Sequence, residues 1–166
     1  MRITQWGEYG LLCSMHIAQR SDEGESTVGA AEIAEVQGIA LQYAQQILQR
    51  LRKGDIIDSV RGPHGGYKLS RPASEISLGE ILLAAEGSTF EVICDSKPVD
   101  PEGRCRTDHA CGLRDLWREL ADHVDAFLNG RSLADLVKDH LQSTALIQLK
   151  HTEPSSLESG SSIEQQ

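Results

Sequence analysis

The chain has 166 residues, 39% hydrophobic and 4% aromatic, with a formal net charge of −9. That allows one domain of ordinary size with appendages and a lean core, and no apolar run approaches the roughly 18 residues of a membrane span. The N-terminus, MRITQWGEYG, lacks the basic and apolar regions of a secretory signal, so the sequence reads as cytoplasmic, where clustered cysteines point to metal or redox chemistry before disulfides.

Ile3 to about Arg20 is expected as a helix, because Ile3, Trp6, Tyr9, Leu12, Cys13, His16 and Ile17 recur at steps of three and four. On that stripe Cys13 reads as a buried core thiol and His16 as a packed histidine. Residues 21–29, SDEGESTVG, are a polar loop. Two short helical patterns follow, AAEIAEV at 30–36 and LQYAQQILQRLRKG at 41–54, with a turn at Gly38 between them. In the second, Leu41, Ala44, Ile47, Leu48 and Leu51 form one face. The other face carries Gln42, Tyr43, Gln45, Gln46, Gln49 and Arg50. Gly54 stands where a helix end favours a left-handed residue, with Arg52 and Lys53 complementing the dipole of the last turn. Two helices joined by a tight turn, the second showing amides and Arg outward, predict a helix-turn-helix.

IIDSVRGPHGGYKL, residues 56–69, predicts a β-hairpin, since GPHGG cannot continue a strand. A hairpin directly after a helix-turn-helix is a wing. Arg61 lies at its base and Gly62, His64, Gly65 and Gly66 at its tip, where glycines permit close approach to a phosphate backbone or minor groove. Ser77 with Glu80 is a capping box opening a helix to about Glu86. Ser88 to Cys111 is a polar loop holding Cys94, Cys105 and Cys111. LRDLWRELADHVDAFLNG follows, with apolar residues at 113, 116, 117, 120, 124, 127 and 128 and a stop at Asn129-Gly130. A small winged domain cannot easily bury such a stripe alone, so it is assigned to pairing with a second copy. Ser132 with Asp135 opens a last short helix carrying Leu133, Leu136, Val137 and Leu141. The expected fold is therefore mainly α with a small β wing. A winged helix-turn-helix DNA-binding domain spans 1–87, a cysteine loop 88–111, a dimerisation helix and short C-terminal helix 112–142, and a disordered tail 143–166.

The negative charge is confined to one part of the chain. Residues 1–72 carry eight Lys/Arg and eight Asp/Glu, whereas residues 73–166 carry eight and seventeen. Within 41–71 six basic residues face only two acidic ones, and screening makes that local surplus the relevant quantity for phosphate contact. Gln amides pair with adenine and Arg with guanine in the major groove, while Arg61 at the wing base suits an adjacent minor groove.

Thiolates are soft ligands suited to zinc or to iron–sulphur iron. The spacing C-x10-C-x5-C lacks the C-x2-C knuckles of structural zinc sites, and longer gaps suit a cluster. Spacing alone leaves zinc, a cluster and unliganded thiols open.

SVRGPHGGYKLSRPASEISLGEIL and LWRELADHVDAFLNG resemble the bacterial iron–sulphur regulators of the IscR/NsrR type, as do MRITQWGEYG and YAQQILQRLRKGDII. The resemblance covers roughly residues 1–140, and its wing motif RG-x-x-GGY-x-L is highly specific. It implies a winged-helix homodimer that binds a double-stranded DNA operator and senses redox state, iron or nitric oxide. It also implies an iron–sulphur cluster, 2Fe–2S or 4Fe–4S, on Cys94, Cys105 and Cys111. Two departures stand out. The ten-residue first gap is longer than the family's usual one. The histidine that follows the third cysteine in the IscR type is Arg114 here, which stays protonated and cannot replace it. The resemblance then implies a fourth ligand from Glu8 of the other subunit, as in the NsrR type, with His109 within the loop as the rival, His123 a weaker candidate, and no protein ligand the remaining alternative. The alternative function is an iron–sulphur or zinc protein that uses the winged fold for protein contacts. No phosphate loop, nucleophile elbow or paired-carboxylate motif suggests an enzyme.

Overall fold

Aliphatic side chains from five helices and the wing meet in one core in the computed structural model of the chain. The structure describes residues 3–62, 65–87, 92–97, 99–100, 102, 105 and 110–151, with residues 93, 96 and 144–151 described by their backbone alone.

The first helix, α1 (Gln5–Asp22), starts two residues later than expected because Thr4 caps it, its hydroxyl accepting from the Trp6 amide at 3.2 Å. Ile3 therefore lies outside the helix and is exposed. The buried face is also rotated from the predicted stripe. It includes Gly7, Gly10, Ser14 and Ala18 as well as Cys13, Met15 and Ile17. Gly7 and Gly10 face α4 (Leu78–Glu86), and a Cβ on Gly10 would stand 2.6 Å from the Cβ of Ala85. The Ser14 hydroxyl, buried with them, donates to the Gly10 carbonyl at 2.8 Å, so no polar atom of it is wasted.

Helices α2 (Ala30–Val36) and α3 (Leu41–Lys53) form the helix-turn-helix, with Gly38 at φ 63° in the turn. Ala44, Ile47, Leu48 and Leu51 of α3 enter the core as expected, but Leu41, at the first position of the helix, stays exposed. The end of α3 departs from the sequence reading. Gly54 has φ −91°, and the left-handed residue is Asp55, at φ 56°. An aspartate tolerates that region better than most side chains. Glycine is needed at 54 for a different reason, since a Cβ there would meet the Cβ of Ala84 at 2.4 Å.

The wing is an antiparallel pair, β1 (Ile57–Val60) and β2 (Gly66–Leu69), in the register Ile57↔Leu69 to Val60↔Gly66. It is tied down by a third backbone. Val28, in the loop after α1, exchanges hydrogen bonds of 2.8 Å with Tyr67 in both directions. A Cβ on Gly66 would stand 2.5 Å from the Val28 carbonyl oxygen, so this crossing requires glycine.

The capping box forms as predicted, Ser77 and Glu80 each satisfying the other's backbone amide. The Ser77 amide, then its hydroxyl and Arg71, hold the Glu80 carboxyl below its ordinary range. This stabilisation is present above the ordinary carboxylate pKa and is lost as pH falls through the lowered one. A short helix α5 (Ile93–Ser96) lies in the cysteine loop, followed by α6 (Gly112–Asn129) and α7 (Leu133–His151). The junction of α6 and α7 is stitched back to α4. Leu78 donates to the Arg131 carbonyl at 2.9 Å and Leu133 to the Ile76 carbonyl at 2.8 Å. Leu133 and Val137 bury against α1, but α7 is not short. It runs nine residues past position 142, through the segment expected as tail, because STALIQLKH holds no helix breaker and is rich in helix formers. Among the described residues no helix is long and apolar enough to cross a membrane.

Gly10→Ala should destabilise the fold by about 1–3 kcal/mol in urea unfolding, the usual cost of overpacking. Ala85→Gly in the same chain should return part of it, and strict additivity of the two would show that α1 and α4 do not touch there.

Candidate nucleic-acid interface and cysteine loop

The outward face of α3 and the wing share one groove of ≈ 510 Å³, lined by Gln42, Gln45, Gln46, Gln49, Arg52, Ser59 and Tyr67. Four predicted residues are thus gathered on a surface that also receives the wing pair Ser59↔Tyr67. None of the four glutamines is buried, so their amides are free to meet base edges. Arg52, Ser59 and Tyr67 were not among the expected contacts. The signal for Arg52 was present, since it lies three residues beyond Gln49 on the same helix face.

Tyr43 and Arg50 do not belong to this face. Their spacing of seven residues places them together, on the flank turned to α1. Tyr43 is half-buried, with its ring centroid 4.8 Å from Trp6 and 5.8 Å from Tyr9, both edge-on. The Arg50 guanidinium lies 4.1 Å over the Trp6 ring and donates to the Ala85 carbonyl at 2.7 Å. An arginine held by a ring and a helix-end carbonyl ties α3 to α1 and α4, although the residue stays exposed. Arg61 and Gly62 are exposed at the wing, Gly62 with φ 124°, and Gly65 turns back to the Gly62 carbonyl at 2.9 Å. His64 lies outside the described residues.

The three loop cysteines sit on separate pieces of backbone. Cys94 is in α5, Cys105 in a turn whose amide donates to the Asp100 carbonyl at 3.0 Å, and Cys111 caps α6. All three are half-buried free thiols. They offer three soft donors on one loop, the chemistry an iron–sulphur cluster takes. Among the described residues, however, no three His, Cys, Asp or Glu side chains converge closely enough to hold a metal ion. Glu8 is exposed in the first turn of α1. His109 lies outside the described residues. His123 turns along its own helix, its Nδ1 2.7 Å from the Glu119 carbonyl.

Two arginines underlie the loop, four residues apart on α6. Arg118 pairs with Asp95 through both carboxylate oxygens, at 2.7 and 3.2 Å, and these bonds hold the Asp95 carboxyl below its ordinary range. Arg114 is buried, and its Nη2 donates to the Cys105 carbonyl at 2.8 Å. Its Nε is buried with no hydrogen-bond partner, a donor that an anionic group in the loop would satisfy. The residues present therefore fit such a cluster in donor chemistry and in charge. Sequence alone showed Arg114 as a lost ligand and gave no sign of its burial.

Beyond the loop, α6 buries Arg114 alone. Leu116 and Phe127 on its apolar stripe are 54% and 62% exposed, and Leu113, Trp117 and Leu120 are exposed with them.

A family model named Rrf2 and described as an iron-dependent transcriptional regulator matches residues 3–139. The chain is 40% identical over 139 residues to the HTH-type transcriptional regulator IscR of Serratia proteamaculans, covering 84% of this chain and 80% of that one. It is 39% identical to IscR of Escherichia coli K12, covering 84% and 82%. Among solved structures it is similar to CymR, the global cysteine regulator of B. subtilis, with a TM-score of 0.66, 27% identity and coverage of 83% and 97%. The T. potens IscR structure gives a TM-score of 0.64 at 28% identity, covering 84% and 88%.

The fourth cysteine supplies a test of the core. Burial pushes the Cys13 thiol up to about 12. Iodoacetamide near pH 8 should alkylate Cys94, Cys105 and Cys111 of the reduced native apoprotein and spare Cys13 until urea is added. Intact-mass analysis reads the result, and a fourth adduct forming at the same rate would contradict the packing of α1.

Proposed function

The chain belongs to the Rrf2 family of transcriptional regulators, and on that premise we propose that it is a homodimeric DNA-binding regulator whose operator affinity depends on an iron–sulphur cluster held by Cys94, Cys105 and Cys111. The family's members are regulators of transcription, so a regulatory rather than an enzymatic role follows from membership itself. One observation carries the finer reading. The third cysteine caps the very helix whose apolar face is left uncovered, so the sensor loop and the pairing helix are continuous backbone.

The groove between α3 and the wing supports the DNA half of the proposal. Gln42, Gln45, Gln46 and Gln49 meet base edges in the major groove, Arg52 and Arg61 meet phosphates, and the glycine-rich tip lets the wing approach the backbone. Two such helices must lie about 34–36 Å apart to enter successive major grooves. Their separation is set by how α6 of one copy packs on α6 of the other, through Leu113, Leu116, Trp117, Leu120 and Phe127. When bound, the cluster supplies a redox-active and chemically labile centre. The chain's part is to hold it with three thiolates and a weaker fourth ligand, Glu8 of the partner copy or His109. A carboxylate is the harder donor and binds this iron less tightly, which makes it the ligand that a signal can release. Loop order then changes the start of α6, and with it the spacing of the two α3 helices.

Anaerobically purified protein should carry iron and a visible absorption band. Holo and apo forms should differ in gel-shift affinity or sequence preference, and equality in both respects would sink the gating. Gln45→Ala should weaken operator binding by about 1–3 kcal/mol with altered base preference, whereas Arg52→Ala should lower the salt slope by about one without altering preference. Absence of any salt-dependent DNA binding would instead favour the protein-contact alternative. Glu8→Ala is expected to change the spectrum and oxygen sensitivity, and His109→Ala to leave both. The reverse pattern assigns the ligand to His109.

A separate measurement addresses assembly. Leu116→Asp with Leu120→Asp should convert a dimer to a monomer in sedimentation analysis without loss of helical circular dichroism. An unchanged mass would remove α6 from the interface.

A further inference from the structure

Arg114 is the one charged side chain that is buried among the described residues, 7% exposed, although it sits in the first turn of a helix that otherwise faces outward. Burying a guanidinium is costly unless each of its N–H groups finds an acceptor. Here one acceptor is the Cys105 carbonyl, at 2.8 Å from Nη2, while Nε has none among the described residues. The same side chain ties two of the cysteine segments together. It bonds the backbone of Cys105 directly and follows Cys111 by three residues on one helix. A permanently charged fork with a spare, water-excluded donor therefore stands between the Cys105 turn and the start of α6.

We infer that Arg114 is a positioning and tuning residue for the sulphur cluster: Nη2 fixes the loop through Cys105, and Nε gives its hydrogen bond to a sulphur of the cluster. This rests on the cluster reading above. It explains why the position holds arginine, since the fork supplies two donors in fixed directions and keeps its charge when buried, as an ammonium does not. A donor and a positive charge beside anionic sulphur favour the reduced, more negative state and so raise the reduction potential.

The test is the midpoint potential of anaerobically reconstituted parent, Arg114→Lys and Arg114→Met, followed by visible absorption and electron paramagnetic resonance. In Arg114→Met the reduced state should lose at least tenfold in stability relative to the oxidised one, a drop of ~59 mV for a one-electron couple. Arg114→Lys should fall between. A parental potential in loaded Arg114→Met overturns the inference. If that variant takes up no cluster, Arg114→Lys decides alone, a lowered potential supporting the inference and a parental one overturning it. Loss of the cluster from both variants, with apo helicity intact, assigns Arg114 to holding the loop only and also overturns it. A parent that binds no iron and shows no visible band overturns the cluster reading and this inference together, which is distinct from an unchanged potential in a loaded variant.

Discussion

Two helices come to rest on the last turn of α4 through three close glycine contacts, and the rest of the molecule is arranged around them. Gly54 at the end of α3 meets Ala84, Gly10 of α1 meets Ala85, and Gly7 of α1 meets Glu86. The Glu86 carboxylate accepts from the Thr4 amide at 2.8 Å and from the Thr4 hydroxyl, while the Ala85 carbonyl accepts from Arg50. Each approach is closer than a larger side chain allows, so the recognition helix and the first helix share one reference surface. Glu86 also places negative charge at the start of α1, where the helix dipole favours it. The cysteine loop follows α4 after Gly87. Whatever moves the end of α4 is felt by both helices that lean on it.

Much of the fold was legible in the sequence because local rules agreed with the tertiary result. The capping box, the glycine-rich hairpin tip and the aliphatic face of α3 each had one solution. At Tyr43, Arg50 and Gly54 a neighbouring helix sets what a pattern along one helix cannot show. Tyr43 is half-buried against Trp6, and Arg50, itself exposed, is held by the Trp6 ring and the Ala85 carbonyl. Gly54 has the composition of a left-handed cap but a close-contact role, and the adjacent aspartate takes the unusual backbone. The site follows the same rule. Thiol donors can be counted from a string of letters, whereas the burial of Arg114 depends on the loop that folds over it.

Charge is distributed by task. The groove of α3 and the wing carries amides and arginine inside a half of the chain that is neutral in sum. The acidic surplus falls in the half that holds the loop, α6 and α7. Long-range attraction of the whole chain to DNA is therefore weak, and a local basic surface must supply the phosphate contacts within about a Debye length. Such a balance limits unspecific retention on nucleic acid.

Helix α6 is held to the domain at its far end, where Leu78 and Leu133 bond across the α6–α7 junction and Asn129 fills the space beside Gly79. At its near end the only buried residue is Arg114, under the cysteine loop. The whole of α6 is 18 residues, about 27 Å of rod at 1.5 Å per residue. The consequence is one of leverage: a tilt of about 5° about the fixed end displaces the near end by roughly 2.4 Å over that length. A change at the loop of the size of a bond length or two is thus commensurate with a tilt of the whole helix.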